Sequence, residues 1–427
     1  MNQRRVQLTN PSLSDAIGNA RKTFYSGYLH QAFTQYAELF WNNPRAWWLA
    51  MEAIRVKRML SPCSQEYGTI LFSPNYENNS YQKNLYCESQ RFGYQIKPVE
   101  TLGLDDLLVA ATCSERLVFH QHWLKELYWT FSSVDAGLLA IDRHVGILKA
   151  LKSFGATICW TLHNLIDHDA STTQEKLNNY ALNEMVKVSD CIFIHTNGAG
   201  KLLSSHCGQD LSSKYHILEH PLYDDIKRTT IPCLPKEVDR DKLQGRRILL
   251  FLGMIRPYKG VPDLLIAFQE VARANPLHGM HLIIAGHMSD PGVFEVLSEL
   301  DSTIREQITL VGRKLEENEM AGLMDIADVS VTPYRKVLTS GSFYLSTTYK
   351  KPTVAPRIGM FAEKLRDGET GFLYEESDGE LVKKLRLISE LSREDLVRVG
   401  HGAWDAHKHL TIFNVSKIFF SRLEGAL

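Results

Sequence analysis

The chain has 427 residues, which is enough for two or three domains with separate cores. Its composition, 44% hydrophobic and 23% charged, is that of a folded protein and excludes a disordered chain or a coiled coil. A net charge of -1 gives no overall basic field, so we expect no nucleic-acid partner. No apolar run approaches the roughly 18 to 20 residues that cross a bilayer, and no signal peptide is recognisable, so we expect a cytoplasmic protein.

Residues 1–62 have apolar side chains at helical spacing and no strand pattern, which predicts a helical N-terminal extension. Within it, residues 45–58 combine Trp47 and Trp48 with four basic residues. That composition is typical of a helix lying in a membrane interface, and it also suits a helix packed on the neighbouring domain with a solvated basic side. The sequence leaves both open, so a membrane surface, on the inner face of the plasma membrane, is a candidate partner.

From Tyr67 onward, short apolar strands alternate with helical segments, a pattern that predicts parallel sheets covered on both faces. A Pro-containing charged stretch at 230–241 reads as a linker, after which the alternation restarts at Arg247. We therefore predict two doubly wound α/β domains, 63–236 and 237–403, and a C-terminal helical segment, 404–427. A ligand crevice should lie between the domains, at the carboxyl ends of the strands.

Two basic side chains follow the first strand of the second domain. The strand ends at Gly253, the next loop carries Arg256 and Lys259, and a helix begins near Val261. Helix amides and two cations together favour a diphosphate. The alternative is that both residues are ordinary surface cations.

A run of small polar residues, Thr339-Ser340-Gly341-Ser342, opens a helix later in the same domain. Its backbone amides would be open to a phosphate or sugar oxygen. The alternative is a simple helix cap.

Taken in order, these stretches resemble the GT-B nucleotide-sugar glycosyltransferases of the bacterial group that includes mannosyl- and glucosyltransferases of surface polysaccharide assembly. The resemblance runs from about Arg247 to Phe372 and is carried by residues 253–260, Ala327-Asp328, Pro333-Tyr334, Lys351-Pro352 and residues 368–371. It implies the GT-B fold, with two Rossmann-like domains facing a cleft and a last helix that crosses back onto the first domain. It also implies sugar transfer from a nucleoside diphosphate sugar, of GDP-mannose or UDP-glucose type, to a hydroxyl of a glycan or lipid-linked saccharide in polysaccharide biosynthesis.

The same resemblance assigns donor-site residues. Arg256 and Lys259 would bind the donor diphosphate, and Glu363 would lie near the donor. The remaining members of the implied donor site are Gly253, Tyr334, Ser340, Gly341 and Ser342. No metal or other cofactor is implied beyond the donor substrate.

The chain departs from this group at two positions. Many retaining members carry two glutamates before the Lys-Pro pair, whereas this chain has Val337 and Leu345 there. The Thr-Ser-Gly-Ser element is more similar to the inverting β-mannosyl or β-glucosyl branch. The sugar or ribose contacts must therefore differ, and retaining against inverting chemistry stays open.

Polar residues follow two predicted strands of the first domain, where they would face the crevice. Transfer to a hydroxyl requires a base for its proton, and a carboxylate or histidine is the usual group in inverting enzymes. The candidates for this base are Asp167 and Asp169, with Glu126 third. His120, His122 and His163 are candidates to orient the acceptor or to bind the sugar.

Three other interpretations remain. Histidines and aspartates can compose a metal site, but no compact ligand motif such as HExxH occurs. A sugar-nucleotide 2-epimerase can share the two-domain architecture. A non-catalytic GT-B subunit would explain the missing glutamates and the aromatic N-terminal extension.

Overall fold

The computed structural model describes residues 12–60, 67–76, 79–99, 116–165, 170–275 and 279–425. Two six-stranded parallel sheets follow one another along the chain, each with helices on both faces. This confirms the predicted pair of doubly wound α/β units.

Three helices precede the first sheet: α1 (Leu13–Tyr25), α2 (Leu29–Asn42) and α3 (Trp48–Leu60). The side chain of Ser12 caps α1 by accepting a hydrogen bond from Asp15 N. Tyr36, Phe40 and Ile54 are fully buried in a core shared with the first sheet. The extension is therefore an integral layer of the first α/β unit.

The segment 45–58 does not present its tryptophans to solvent. Trp47 and Trp48 are half-buried against the shared core, and Arg58 lies over the ring of Phe154 at 4.5 Å. This segment therefore packs on the neighbouring α/β unit, as the second interpretation predicted. None of the helices in the described ranges combines the length and the apolar character that a membrane span requires.

The first sheet has the order β2-β1-β3-β4-β5-β6. Its strands are β1 (Gly68–Ser73), β2 (Tyr94–Pro98), β3 (Leu117–Gln121), β4 (Thr157–Thr161), β5 (Cys191–Ile194) and β6 (Tyr215–Ile217). Its helices are α4 (Ser80–Leu85), α5 (Val134–Ser153), α6 (Thr172–Val188) and α7 (Asn197–Cys207), with short 3-10 helices at Ser89–Phe92, Lys125–Leu127 and Ser212–Lys214. β1, β3, β4 and β5 are buried along their whole length, which explains their unbroken apolar character.

The second sheet has the order β12-β11-β10-β7-β8-β9. Its strands are β7 (Arg247–Leu252), β8 (Met280–Ala285), β9 (Ile308–Val311), β10 (Val329–Val331), β11 (Thr353–Pro356) and β12 (Phe372–Tyr374). Nine helices lie between β6 and the two C-terminal helices in the described part of the chain. They are α8 (Asp224–Thr229), α9 (Arg240–Leu243), α10 (Val261–Ala274), α11 (Gly292–Glu299), α12 (Ser302–Arg305), α13 (Glu317–Ile326), α14 (Gly341–Thr348), α15 (Gly359–Lys364) and α16 (Glu380–Glu390), with a 3-10 helix at Pro257–Lys259.

The chain ends in two helices, α17 (Arg393–His407) and α18 (Ile412–Glu424). They are separate because Thr411 starts a new helix by accepting a hydrogen bond from Asn414 N. The Ser416 hydroxyl in α18 donates to Leu85 O at 2.7 Å, and Phe420 stacks on Phe92 at 5.1 Å. The last helix therefore packs back onto the first α/β unit.

The two units meet across a cleft bordered by the carboxyl ends of both sheets. Ser80 Oγ donates to Glu317 Oε1 at 3.2 Å, and Tyr223 N donates to Thr348 Oγ1 at 2.9 Å. Lys364 and Glu219 form an ion pair with an N–O distance of 2.5 Å. These contacts join the two units across the cleft.

Candidate functional site

The loop after β7 passes very close to the loop after β8. Gly253 and Gly286 have φ angles of +141° and +147°, which L side chains rarely adopt. A Cβ on Gly286 would stand 1.9 Å from Gly253 O, so the backbones meet only because glycine occupies that position. The result is an open backbone surface at the cleft.

Lys259 reaches back under this surface. Its Nζ donates a hydrogen bond to the Tyr334 hydroxyl at 3.0 Å and lies 4.4 Å from the centre of the Tyr334 ring. Burial acts to lower the pKa of Lys259, but attraction to the phenolic oxygens of Tyr334 and Tyr258 outweighs it, so the pKa is raised. The ammonium therefore stays charged at neutral pH, and Arg256 lies three residues earlier in the same loop.

The predicted small-residue segment lies against the same loop. Ser340 caps α14 by accepting from Phe343 N, and Ser342 Oγ donates to Leu252 O at 2.6 Å. Tyr334 Oη also donates to Ser342 Oγ, at 3.4 Å. The helix-cap interpretation is therefore correct for Ser340, and the start of α14 lies next to the cation loop.

Gly341 lies at the junction with the first unit. A Cβ there would stand 2.7 Å from the Tyr223 hydroxyl, which only a shift of that side chain would relieve. The structure thus brings together Gly253, Lys259, Tyr334, Ser340, Gly341 and Ser342, with Arg256 in the same loop.

A cavity of about 890 Å³ opens from this surface into the cleft. It is lined by Gly253 and Met254 after β7, by His287 after β8 and by Lys314 after β9. Ser80 and Lys83 of the first unit close its other side. His287 and Lys314 were not assigned from the sequence. The available signal was a basic residue soon after a glycine that follows an apolar strand, Gly286 for His287 and Gly312 for Lys314.

Glu363 of the second unit contacts the first unit across the cleft. Its carboxylate accepts hydrogen bonds from Asn197 N at 3.1 Å and Gly198 N at 2.7 Å, the first amides of α7 in the first unit. A helix N-terminus is a favourable site for a carboxylate. Glu363 therefore bridges the two units.

Histidines stand at the ends of four neighbouring strands of the first sheet. His120 and His122 end β3, His163 follows β4, His195 follows β5 and His220 follows β6. All five are at most 5% exposed. They form one contiguous aromatic cluster because the carboxyl ends of parallel strands share one edge of the sheet.

Burial keeps these histidines neutral. It lowers the pKa of His120 and His220 to about 3 and that of His195 to about 4. Burial, reinforced by repulsion from neighbouring histidines, lowers the pKa of His122 and His163 well below the usual value. At neutral pH each ring therefore offers one N–H donor and one lone pair.

Aromatic side chains fix the planes of these rings. Trp123 stacks on His163 at 4.1 Å between ring centres, and Tyr81 lies edge-on to His163 and His195. His220 stacks on Tyr344 of the second unit at 4.8 Å. The histidine cluster is therefore continuous with the start of α14.

Of the three carboxylates predicted as candidates for the base, the structure describes only Glu126. Glu126 is exposed, accepts a hydrogen bond from the Tyr76 hydroxyl and lies 4.0 Å from Lys125 Nζ. Asp167 and Asp169 lie outside the described residues. Within the described ranges, no group of three or more His, Cys, Asp or Glu side chains is arranged to hold a metal ion.

His120, His122 and His163 were predicted from the sequence as site residues, whereas His195 and His220 were not. Each of the missed residues closely follows a strand, and Pro221 directly follows His220. A polar residue after an apolar strand was the available signal. That signal does not show which strands are neighbours in the sheet, so it does not show that these histidines lie together.

Known proteins resemble this chain in sequence and in fold. Residues 246–390 match the family described as Glycosyl transferases group 1. Over 349 residues the chain is 26% identical to a GDP-mannose:glycolipid 4-beta-D-mannosyltransferase of Xanthomonas campestris pv. campestris, an alignment that covers 78% of this chain and 89% of the relative.

Solved structures share the fold at lower identity. Anabaena Alr3699/HepE, in complex with UDP and glucose, superposes with a TM-score of 0.59 at 12% identity and covers 84% of this chain and 100% of its own. An alpha,alpha-trehalose-phosphate synthase (UDP-forming) from Burkholderia vietnamiensis gives a TM-score of 0.62 at 10% identity, covering 84% of this chain and 98% of its own. Both therefore share the fold of this chain.

Proposed function

We propose that this chain, a glycosyltransferase with the GT-B fold, transfers mannose from GDP-mannose to a hydroxyl of a glycolipid-linked saccharide, with inversion at the anomeric carbon. The observation that carries the proposal is a cavity between the units that is lined by Gly253, beside which Lys259 lies. A cluster of neutral histidines at the carboxyl edge of the first sheet, in contact with Tyr344 of the second unit, supports it. The choice of GDP-mannose over UDP-glucose rests on the mannosyltransferase relative. That relative also supports transfer over the epimerase and non-catalytic alternatives.

On the donor side, Lys259 and Arg256 would bind the diphosphate. When the bond between the anomeric carbon and the diphosphate oxygen breaks, negative charge grows on the leaving group. Fixed cations near the first turn of α10 stabilise that charge without further reorganisation. The open backbone of Gly253 would let the diphosphate approach closely.

The positive charge at this site makes a metal ion unnecessary in the proposal. Transfer should therefore persist when divalent cations are removed with EDTA. Loss of activity in EDTA that returns with Mg²⁺ would contradict this part of the proposal.

On the acceptor side, His163 is our choice for the base. Both ring nitrogens of His122 are hydrogen-bonded within the protein, to Tyr86 and to His163, so His122 has no lone pair for a substrate. His163 uses only Nε2 in that chain, which leaves Nδ1 for an acceptor hydroxyl. The hydroxyl oxygen would attack the anomeric carbon while its proton passes to Nδ1.

Asp167 and Asp169 remain the alternative bases. His163→Asn should lower kcat by roughly 100-fold or more, the usual contribution of a general base. Asp167→Asn and Asp169→Asn should lower it much less. A large loss in either Asp variant with an active His163→Asn protein would transfer the role to that aspartate.

The inverting assignment follows from the residues that replace the two glutamates of retaining members. Leu345 is buried in the second unit, and Val337 is half-buried against its core. Neither side chain carries a charge. A single displacement assisted by a base of the first unit needs no carboxylate at those positions.

The donor is tested by thermal stability of the purified protein with GDP, UDP and ADP. A ligand that binds only the folded state raises its stability, so GDP should raise the melting temperature more than UDP or ADP. The shift should be lost in Lys259→Ala. Selective stabilisation by UDP would contradict the choice of donor.

We also propose that the first unit binds a membrane surface through the turn between α1 and α2. Tyr25 and Tyr28 are 83% and 65% exposed, and Arg21 and Lys22 lie beside them. Exposed aromatic rings with cations favour an anionic lipid interface. A glycolipid acceptor would be met at the same surface.

Vesicle binding of the full chain tests this surface. The double variant Tyr25→Ser/Tyr28→Ser should lose binding to vesicles containing anionic phospholipid. Ile231→Ser is the matched control, because Ile231 is 86% exposed but lies in the linker. Equal binding by all three proteins would remove the proposal.

A further inference from the structure

A continuous chain of hydrogen bonds runs beneath the cleft, through three histidines and one tyrosine. His163 Nε2 bonds to His122 Nδ1 at 3.1 Å, and His122 Nε2 bonds to the Tyr86 hydroxyl at 2.9 Å. The same hydroxyl bonds to His120 Nδ1 at 2.8 Å, and His120 Nε2 bonds to Thr161 Oγ1 at 2.7 Å. All members are buried, and none is more than 6% exposed.

The Tyr86 hydroxyl links the two halves of this chain because it carries a single proton. It can donate to only one of its two histidine partners and must accept from the other. A neutral imidazole has one N–H, so a histidine that donates from one nitrogen must accept at the other. The direction of one hydrogen bond therefore fixes the direction of all.

Only two arrangements satisfy every bond. In the first, Tyr86 donates to His122, and all three histidines carry their proton on Nδ1. In the second, Tyr86 donates to His120, and all three carry it on Nε2. A mixed arrangement would leave a buried N–H facing another N–H, or two lone pairs facing each other, and a buried polar group without a partner is strongly disfavoured.

The two arrangements give His163 opposite chemistry at Nδ1, the nitrogen outside the chain. With all protons on Nδ1, His163 presents an N–H donor and cannot take a proton. With all protons on Nε2, it presents a lone pair that can accept one. Burial keeps the three imidazoles neutral, so neither arrangement is replaced by a doubly protonated ring.

We propose that Tyr86 is a positioning residue that couples the tautomers of His120, His122 and His163 and holds them in the Nε2–H form. His163 then offers the lone pair of Nδ1 to the acceptor hydroxyl. This inference deepens the proposed function and rests on it for its catalytic meaning. Tyr86 itself touches no substrate and acts through His122.

The packing around the chain supports a fixed geometry. Phe419 of α18 stacks on His120 at 5.1 Å and 15°, and Trp123 stacks on His163 at 4.1 Å and 14°. The indole Nε1 of Trp160 donates to His122 O at 3.2 Å. Because the ring planes are held in this way, Tyr86 influences only which ring nitrogen of each histidine carries the proton.

The direct test is the tautomer of each histidine in the wild-type protein, measured by ¹⁵N NMR of histidine-labelled chain and assigned with single His→Gln variants. We expect Nε2–H for all three histidines. Different tautomers among the three, or Nδ1–H throughout, would overturn the inference. This measurement does not depend on any enzyme assay.

The second test is Tyr86→Phe, with Tyr94→Phe as control. Tyr94 is an equally buried tyrosine of the same unit, and its hydroxyl has no hydrogen-bond partner. In Tyr86→Phe, His122 avoids a buried unpaired N–H by moving its proton to Nδ1, so His163 should show Nδ1–H. With GDP-mannose and acceptor, kcat should fall by roughly tenfold or more while KM stays nearly unchanged, since binding groups remain intact.

The outcomes separate this inference from the proposed function. Unchanged tautomers or an unchanged kcat in Tyr86→Phe would overturn the positioning role. If the wild-type protein transfers no sugar, the proposed function fails, and the NMR result alone still decides whether Tyr86 couples the histidines.

Discussion

Lys259 connects two parts of the proposed donor site, since it donates a hydrogen bond to Tyr334 and borders Gly253. Sequence analysis could identify it because a cation between a strand-ending glycine and a helix is a local pattern. It could not reveal the contact with Tyr334, which lies 75 residues further along the chain. The phosphate role itself stays a prediction.

Lys259→Ala and Arg256→Ala should each lower kcat by about 100-fold, the scale observed when one preorganised charge-stabilising donor is removed. The fold should persist in both, as judged by circular dichroism. Lys176→Ala is the control, because Lys176 is an exposed lysine of the first unit. Unchanged transfer by both cation variants would refute the phosphate assignment.

His144 shows how one residue can lower stability. It is 3% exposed in α5, and neither ring nitrogen has a hydrogen-bond partner. His144→Leu keeps a similar volume and removes two unsatisfied atoms, so the free energy of unfolding should rise by about 1–3 kcal/mol.

Urea unfolding measures this change. His401→Leu, at an exposed position of α17, should alter stability by no more than about 0.5 kcal/mol. Destabilisation by His144→Leu would mean that the imidazole has a partner in solution.

At the scale of elements, the contact between α15 and α7 bridges the cleft through Glu363. A Cβ on Gly198 would stand 2.5 Å from Glu363 Oε1, so Gly198→Ala should displace the carboxylate and break its bonds to the α7 amides. The cleft should then open further, which small-angle X-ray scattering would detect as a larger radius of gyration.

Gly18→Ala is the matched control, because a Cβ on Gly18, within α1, meets nothing within 4 Å. Glu363→Ala should reproduce the effect of Gly198→Ala. Identical scattering from all of these proteins would show that the bridge does not hold the cleft closed.

Strands were more predictable than surfaces. Apolar runs such as 247–252 and 157–161 are fully or largely buried strands, as their composition indicated. What Trp47 and Trp48 pack against was not predictable from the sequence, because a periodic apolar face fits a protein core and a lipid interface equally well. Residue spacing alone does not distinguish these two surroundings.

At the scale of the whole molecule, the buried histidines make stability depend on pH. Their pKa in the folded chain lies below the unfolded value of about 6.5, so the unfolded chain binds more protons as the pH falls. The contribution of these histidines to the free energy of unfolding is therefore fully present above about pH 6.5. It is lost progressively as the pH falls towards their pKa values in the folded chain, about 3 for His120 and His220 and about 4 for His195.

At pH 5 each of these three groups should cost on the order of 2 kcal/mol, a sum comparable with the total stability of many domains. The melting temperature should fall steeply between pH 6.5 and pH 5. A melting temperature that is constant over this range would contradict the buried neutral cluster.

The two-unit architecture was predictable because the alternation of strands and helices restarts after the linker. The continuity of the histidine cluster with α14 was not, because it depends on how the units close. His220 and Tyr344 are 124 positions apart in sequence, yet their rings stack. Such a contact belongs to the assembled cleft and to neither unit alone.

The most direct measurement of the central claim is a competition between two donors in one reaction. GDP-mannose and UDP-glucose, each labelled in a distinguishable way, are incubated with the protein and lipid-linked saccharides, and the sugar and its anomeric configuration in the lipid fraction are determined. The account predicts β-linked mannose. Transfer of glucose, an α-linked product, or no transfer from either donor would contradict it.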